Sequence, residues 1–384
     1  MGAFSFDMYL PAFPAIAEQL DVSPAQVQLT LIVALIGLGV GQIMAGPISD
    51  RYGRRTPVLV GTAVFTASSI LIAVAPDITT FTALRVLQGI GGGFGLTVGR
   101  AVIRDMFRGA EASRYMSRVM LFFAVAPIVA PSVGAAVLSV TTWRGIFVIL
   151  AGYGVVLTLA TLRWLPETLP PQRRRSGGTR DTIAVFRLLF ADRQFLGYAL
   201  AQNLSFAGLF AYLSSSSFVL QEVFGVSARA YALIFGVNAV GLAVAGQVSA
   251  YFVMRRTPRG LLFGALIAGV LACAALLAAA EAGSLVAVVA ALFAFFISLG
   301  FIFPNSMALA LDKHPDRAGS ASAVLGGLQS AVSMLAAPLI ALLGTATGVP
   351  MAAVMFGSAL ASLVVAAVLT RERLAEPALS TPTD

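Results

Sequence analysis

An acidic and a basic side chain interrupt long apolar stretches of the sequence. Of the 17 Asp and Glu residues, Asp7 alone falls well inside such a stretch, and Arg85 lies inside another. A charge at mid-bilayer costs about 2.5–3.5 kcal/mol, so charges there usually line an aqueous path. Removal from water favours the neutral carboxyl group, which makes proton exchange near neutral pH possible. We therefore predict that Asp7 carries a proton and that Arg85 tunes its release; a fixed structural pair is the alternative.

The sequence lacks the residue clusters of an enzyme or a metalloprotein. Its one cysteine, Cys273, and its one histidine, His314, form neither an internal disulfide nor a zinc site. The glycine-rich run at 89–95 does not spell GxGxxG and has no Walker lysine. Its small-xxx-small spacing predicts close helix packing rather than a nucleotide site. We expect no cofactor, no metal and no enzymatic activity.

The composition predicts a protein whose solvent is lipid. Hydrophobic residues make up 58% of the 384 residues and charged residues 11%, whereas soluble domains carry about 25% charged residues. Each bilayer-spanning helix needs about 20 apolar residues, and helices satisfy their own backbone groups in hydrocarbon. The first of the predicted spans is short, so we expect residues to precede Met1 in the native protein. The twelve predicted spans are residues 1–19, 28–47, 57–75, 79–103, 115–138, 143–164, 195–219, 229–253, 259–280, 284–310, 319–343 and 348–370.

The two halves of the sequence repeat short motifs in the same order. The segment from Val22-Ser23 to Thr56-Pro57 matches the segment from Val226-Ser227 to Thr257-Pro258, with Gly-Leu and Gly-Gln pairs between. Halves repeated in one orientation are typical of a class of secondary transporters. We predict an all-α membrane protein with two six-helix bundles around a central cavity. The predicted parts are a bundle at 1–164, a cytoplasmic linker at 165–194, a bundle at 195–370 and a cytoplasmic tail at 371–384.

The basic residues predict the orientation of the chain. Of the 25 Lys and Arg residues, 21 fall on one set of alternating segments between spans, two on the other set and two inside spans. The positive-inside rule then places both termini and the linker in the cytoplasm. The net charge of +8 is spread between apolar spans and forms no soluble basic face. We therefore expect membrane lipid, and no nucleic acid, as a partner.

The loop after the second span carries a specific resemblance. The run from Gly46 to Arg55 resembles the signature loop of the major facilitator superfamily. The resemblance implies that Asp50 holds the outward-facing state through a helix of the second half and that Arg54 pairs with Asp105. Gly46 would let two helices approach closely, and Asp50 would face the positive N-terminus of a neighbouring helix. A basic loop that only sets topology is the alternative. The residues of this predicted conformational switch are Gly46, Asp50, Arg51, Gly53, Arg54, Arg55 and Asp105.

Further motifs narrow the resemblance. The run from Asp7 to Pro11, and the segments 304–310 and 318–322, resemble the bicyclomycin and chloramphenicol resistance (Bcr/CflA-type) exporters. The run 85–89 resembles the proton-coupling motif of the superfamily. The run 126–134 resembles its antiporter motif, with Ala130 where the general pattern has Gly. Its prolines can bend this helix, and we expect the bend to let the central cavity open and close; a plain proline kink without such a role is the alternative. The switch residues added here are Pro127, Pro131 and Gly134.

The resemblance implies a function. It points to a proton-coupled exporter of small amphipathic compounds, antibiotics included, that works by alternating access. The expected location is the bacterial inner membrane, as a multi-pass monomer. A proton-coupled metabolite importer and a transport-dead membrane sensor are the alternatives. The polar side chains that we expect to line a substrate cavity are Tyr9, Gln88, Asn203 and Tyr212.

Overall fold

The computed structural model is helical, with no strand among the residues that it describes. These are residues 2–107, 109–170, 187–253, 255–312, 324–329, 332 and 347–370. Within them, nine helices are long and apolar enough to cross a membrane. Most of the predicted eleventh span, 319–343, and the whole predicted tail lie outside the described residues, as does much of the linker. The all-α prediction is confirmed. In lipid a helix is favoured because it satisfies its own backbone polar groups.

We number the helices in chain order. They are α1 (Gly2–Asp7), α2 (Phe13–Gln19), α3 (Pro24–Tyr52), α4 (Arg55–Ala73), α5 (Ile78–Met106), α6 (Gly109–Leu138), α7 (Trp143–Trp164), α8 (Arg193–Phe218), α9 (Ala228–Phe252), α10 (Pro258–Glu281), α11 (Leu285–Leu311) and α12 (Val349–Leu369). A π turn, Val219–Val223, extends α8. Most observed boundaries lie within a few residues of the predicted ones.

The first predicted span is a broken segment rather than one helix. The chain forms α1, then a 3-10 turn at Leu10–Ala12, and then α2. Pro11 and Pro14 explain the break, because a proline has no backbone N–H and its ring clashes with the preceding helical turn. Asp7 is consequently the last residue of α1 and lies next to irregular backbone.

Side-chain caps begin several of the helices. The Gln26 side chain accepts a hydrogen bond from the Ser23 backbone N–H at 3.0 Å, and Pro24 occupies the first turn of α3. The Asp77 carboxylate accepts from the Thr80 N–H at 2.8 Å, at the start of α5. Such caps satisfy backbone N–H groups that have no partner inside the helix.

Glycines allow α5 to lie directly against α3. A Cβ at Gly89 would collide with the carbonyl oxygen of Ala34, and a Cβ at Gly93 would collide with that of Leu38. The glycine-rich run therefore packs helices at small-xxx-small spacing, as its spacing predicts. α4 packs on α5 and α7 to complete this side of the first bundle.

The two bundles meet along two seams among the described residues. In the second bundle, α8 packs against α11 and α12, and α10 packs against the same two helices. Between the bundles, α6 packs on α9, and the 3-10 turn of the first span contacts α8 and α9. The first span and α8 thereby face each other across the centre of the molecule.

Candidate functional site

A cavity of about 340 Å³ lies between the bundles. Helices α1, α3 and α6 contribute to its wall from one bundle, and α8, α9 and α11 from the other. The lining residues are Phe6, Asp7, Leu10, Leu31, Leu35, Pro127, Phe206, Leu209, Leu213, Phe235, Ala239, Leu242, Ala243, Phe296 and Phe303. A cavity of this size with an apolar wall and few polar groups suits a small amphipathic molecule. Sequence reasoning missed most of this wall because its apolar residues do not differ in type from those that face lipid.

Asp7 is the charged residue of this wall. Its position at the end of α1 brings the carboxyl group to the cavity, although only 8% of the residue is exposed. No hydrogen-bond donor or basic group among the described residues pairs with the carboxylate. An ionised carboxylate in such surroundings is costly unless a proton or a cation neutralises it. The site is therefore suited to exchange one positive partner for another.

Arg85 is buried inside the first bundle but is not the ion-pair partner of Asp7 in this structure. Its guanidinium is fully buried, and Nη1 donates to the Ser5 carbonyl oxygen at 3.1 Å and to the Gln88 side-chain oxygen. No oxygen of Asp7 lies within 4.0 Å of its nitrogens among the contacts of the described residues. The interpretation of Asp7 and Arg85 as a fixed structural pair thus has no support in this geometry.

The four residues predicted to line the cavity lie inside the bundles instead. Tyr9 shares a hydrogen bond with Thr30 at 3.2 Å, and the Gln88 amide donates to Ser69 at 2.8 Å. In the second bundle, Asn238 donates to the Tyr212 hydroxyl at 3.3 Å. The lining given above contains none of Tyr9, Gln88, Asn203 and Tyr212. Their polar side chains form hydrogen bonds to other helices, as polar groups inside membrane proteins commonly do.

Hydrogen bonds join the bundles at the end of the cavity remote from the basic loop. Gln28, in the first turns of α3, donates to Ser215 of α8 at 3.3 Å. Ser217 donates to the Leu10 carbonyl oxygen at 2.6 Å, and Gln221 donates to that of Pro11 at 3.2 Å. The rings of Phe13 and Phe218 pack beside these bonds. This end of the cavity is closed by contacts that two bundles share.

The signature loop forms a charged cluster at the other end of α3. Arg54 Nε donates to Asp105 at 2.8 Å, and Nη1 donates to Asp50 at 2.6 Å and to Ser49 at 2.8 Å. Burial disfavours the charged guanidinium, but the hydrogen bonds and charges of Asp105 and Asp50 outweigh it and raise the pKa of Arg54. The Arg54–Asp105 pairing implied by the resemblance is present. The Asp50 side chain is 52% exposed.

Glu167 belongs to this cluster, and sequence reasoning missed it. Its carboxylate accepts from the backbone N–H groups of Arg54 at 2.7 Å and Arg55 at 3.3 Å, at the start of α4. It occupies the space that a Cβ at Gly53 would need, and Gly53 has a φ of 91°. Glu167 falls in the predicted cytoplasmic linker, 165–194, so nothing local in the sequence indicates its contact with α4.

The remaining switch residues lie as follows. The Arg51 guanidinium lies over the Tyr52 ring, and Arg55 Nη2 donates to the Leu162 carbonyl oxygen at 2.7 Å. A Cβ at Gly46 would meet no atom of the described chain within 4 Å. The close helix approach expected there is therefore absent from the described residues, and most of span eleven lies outside them.

The antiporter-type motif lies on α6, at the seam with the first span. Pro127 lines the cavity, and Pro131 lies one turn further along the same helix. A Cβ at Gly134 would collide with the Met8 carbonyl oxygen. Gly134 therefore lets α6 touch the backbone next to Asp7, so a movement of α6 would shift that backbone. No group of three His, Cys, Asp or Glu side chains able to hold a metal occurs in the described chain.

Known proteins are similar to this chain in sequence and in architecture. Residues 1–338 match the family model described as Major Facilitator Superfamily. The chain is 39% identical to the uncharacterized MFS-type transporter YdgK of Bacillus subtilis, with 98% of this chain and 94% of that one covered. It is 32% identical to a bicyclomycin resistance protein homolog of Haemophilus influenzae, with 97% and 94% covered. A crystal structure of a bacterial homolog of the human lysosomal transporter Spinster, inward-facing and unoccupied, has a TM-score of 0.73 at 17% identity, covering 96% and 92%, which supports the fold alone.

Proposed function

Because the chain belongs to the Major Facilitator Superfamily, we propose that this multi-pass bacterial membrane transporter exports small amphipathic compounds, antibiotics among them, in exchange for protons. The relative named for bicyclomycin resistance covers almost the whole chain and supports a drug as cargo. The apolar cavity between the bundles is the binding site in this proposal. The 21 basic residues on one set of segments support a cytoplasmic location for that face of the protein in this proposal.

The observation that carries the proposal is the position of Asp7. It is the sole acidic residue well inside a predicted span, and its carboxyl group faces the cavity. No described residue pairs with it, so a proton is what keeps it neutral when no ligand is bound. Substrate entry would displace that proton, and return of the empty carrier would require a new one. Exchange then follows from one shared site.

The closed end of the cavity supports alternating access. Ser217 and Gln221 hold α8 to the first span at the end remote from the basic loop. The Arg54 cluster lies at the opposite end, and its Asp50 is half exposed. A transport cycle would break the first set of contacts and form new ones around Asp50. The proposed switch acts by changing the relative stability of these two arrangements.

Flux in inverted membrane vesicles tests the proposal. Vesicles with acid interiors, prepared from an exporter-deficient host that produces the chain, should accumulate radiolabelled chloramphenicol or ethidium until a protonophore is added. Asp7→Asn should abolish this accumulation. Asp21→Asn is the matched control, because Asp21 is exposed and its positive φ suits Asn, and it should transport like the parent.

Other outcomes identify the alternatives. Proton-dependent uptake into right-side-out vesicles with alkaline interiors would identify an importer. Absence of flux for every compound of a broad antibiotic panel would identify a sensor. Export by Asp7→Asn that remains coupled to protons would place the proton site at another residue.

A further inference from the structure

Three aromatic rings enclose the guanidinium of Arg85. Its Cζ lies 4.2 Å from the centroid of the Tyr9 ring, 5.8 Å from that of Phe6 and 5.9 Å from that of Phe147. These distances lie within the range of cation–π attraction. Its Nε and Nη2 are buried and have no hydrogen-bond partner among the described residues. The rings therefore balance part of a charge that no described carboxylate neutralises.

Phe6 separates Arg85 from the cavity. The Phe6 ring lines the cavity and also lies over the guanidinium, whereas Arg85 and Tyr9 are fully buried and do not line it. The aromatic cage thus keeps the nearest cation of the first bundle away from the cavity wall. The charge left on that wall among the described residues is the carboxyl group of Asp7.

A wall whose described residues present one carboxyl group and no cation distinguishes ligands by the sign of their charge. A cationic ligand gains a charge-assisted bond to Asp7 and can contact the faces of Phe206, Phe296 and Phe303. An anionic ligand meets no cationic side chain among the described residues of the wall that could compensate its lost hydration. We infer that the aromatic cage on Arg85 makes the cavity selective for amphipathic cations with one charge, and that Phe6 determines this specificity. The inference rests on the proposed function and names its substrate class.

The exchange balances in atoms and charge. Binding breaks the O–H bond of the neutral Asp7 carboxyl group, and the proton leaves to water. The carboxylate then pairs with the cationic centre of the ligand. One monovalent cation therefore replaces one proton, and no oxidant, reductant or other reactant takes part.

Two probes of nearly equal shape and opposite charge test this inference. Equilibrium dialysis of the purified full chain would compare tetraphenylphosphonium with tetraphenylborate. We expect the cation to bind at least about tenfold more tightly than the anion, because a hydrogen bond to a charged group contributes about that much to affinity. A pH indicator should report about one proton released per bound cation, the ratio of one shared site, and none per bound anion.

Phe6 variants test the role of the cage. Phe6→Ala opens Arg85 to the cavity and should reduce the ratio of the two affinities by about tenfold, the effect of one exposed charge. Phe6→Leu keeps a bulky apolar wall and should retain most of the preference. The measured quantity is the ratio of the two affinities. A loss of apolar contact weakens the binding of both probes alike and therefore leaves this ratio unchanged.

Each contrary result has a distinct meaning. Equal binding of the two probes by the parent protein overturns the inference, and this result requires no variant to fold. An unchanged ratio in monodisperse Phe6→Ala removes Phe6 as the specificity residue and overturns the role of the cage. If chloramphenicol is still exported under a proton gradient in those cases, the proposed function stands. If neither chloramphenicol nor tetraphenylphosphonium is transported, both proposals fall.

Discussion

The Ser217 hydroxyl donates a hydrogen bond to the Leu10 carbonyl oxygen, 2.6 Å away, and so ties the second bundle to the first span. The Leu10 carbonyl oxygen cannot accept the usual helical hydrogen bond from residue 14, because Pro14 has no backbone N–H. Gln221 donates to the neighbouring carbonyl oxygen of Pro11 at 3.2 Å. The prolines that break the first span therefore lie beside the acceptors that close this end of the cavity.

Ser217→Ala should loosen that closed end. Loss of one inter-bundle hydrogen bond costs about 1 kcal/mol, which is about a fivefold shift between the two states. Distance measurement between spin labels would check this in a Cys273→Ser background, with Glu18→Cys and Glu222→Cys as label sites. The distribution should gain a longer component.

Ser214→Ala is the matched control for this experiment. The Ser214 hydroxyl donates to the Ala211 carbonyl oxygen of its own helix at 3.1 Å, so its loss should leave the distance distribution unchanged. A Ser217→Ala distribution identical to that of the parent would show that this bond does not hold the bundles together.

Asp50→Asn should slow transport while leaving substrate affinity nearly unchanged. Asp50 lies at the basic end of α3, where it pairs with Arg54 at 2.6 Å, and it is not among the residues that line the cavity. Equilibrium binding and the saturating initial rate of transport would be measured on the same preparation. A large loss of affinity with a normal saturating rate would contradict a role in switching.

Glu167→Gln should destabilise the start of α4. The Glu167 carboxylate accepts hydrogen bonds from three backbone N–H groups, those of Arg54, Arg55 and Leu169. Its negative charge also interacts favourably with the positive N-terminal end of α4. We expect a loss of about 1 kcal/mol, measured by thermal unfolding in detergent. Glu281→Gln, at the exposed end of α10, is the control and should unfold like the parent. An unfolding temperature equal to the parent's would make the Glu167 contacts energetically neutral.

Asp77 should contribute a pH-dependent part of the stability of α5. Hydrogen bonds from the backbone and side chain of Thr80 lower the pKa of Asp77. A lowered folded-state pKa stabilises the protein above the unfolded-state pKa, and this contribution is lost as pH falls through the folded-state value. Asp77→Asn keeps a capping oxygen but does not titrate, so the gap in unfolding temperature between parent and variant should narrow from pH 6 to pH 3. A constant gap over this range would show that the cap is independent of charge.

The sequence alone determined the features that depend on solvent preference and local chemistry. Apolar length predicted the spans, because each helix must cross the same hydrocarbon thickness. The distribution of basic residues predicted an orientation. The intramembrane position of Asp7 singled it out for function. The resemblance of the signature loop to that of the major facilitator superfamily implied the Arg54–Asp105 pairing, which the structure contains.

Only the tertiary structure decided what faces the cavity. Helical periodicity does not distinguish a side chain that faces a cavity from one that faces another helix or lipid, because all three surroundings accept apolar residues. Tyr9 and Tyr212 were therefore expected in the wall, whereas Phe6 and Phe206 occupy it. Glu167 reaches α4 across more than a hundred residues of chain. Such contacts depend on the relative placement of whole helices, which is set by the packing of many side chains at once and not by any local motif.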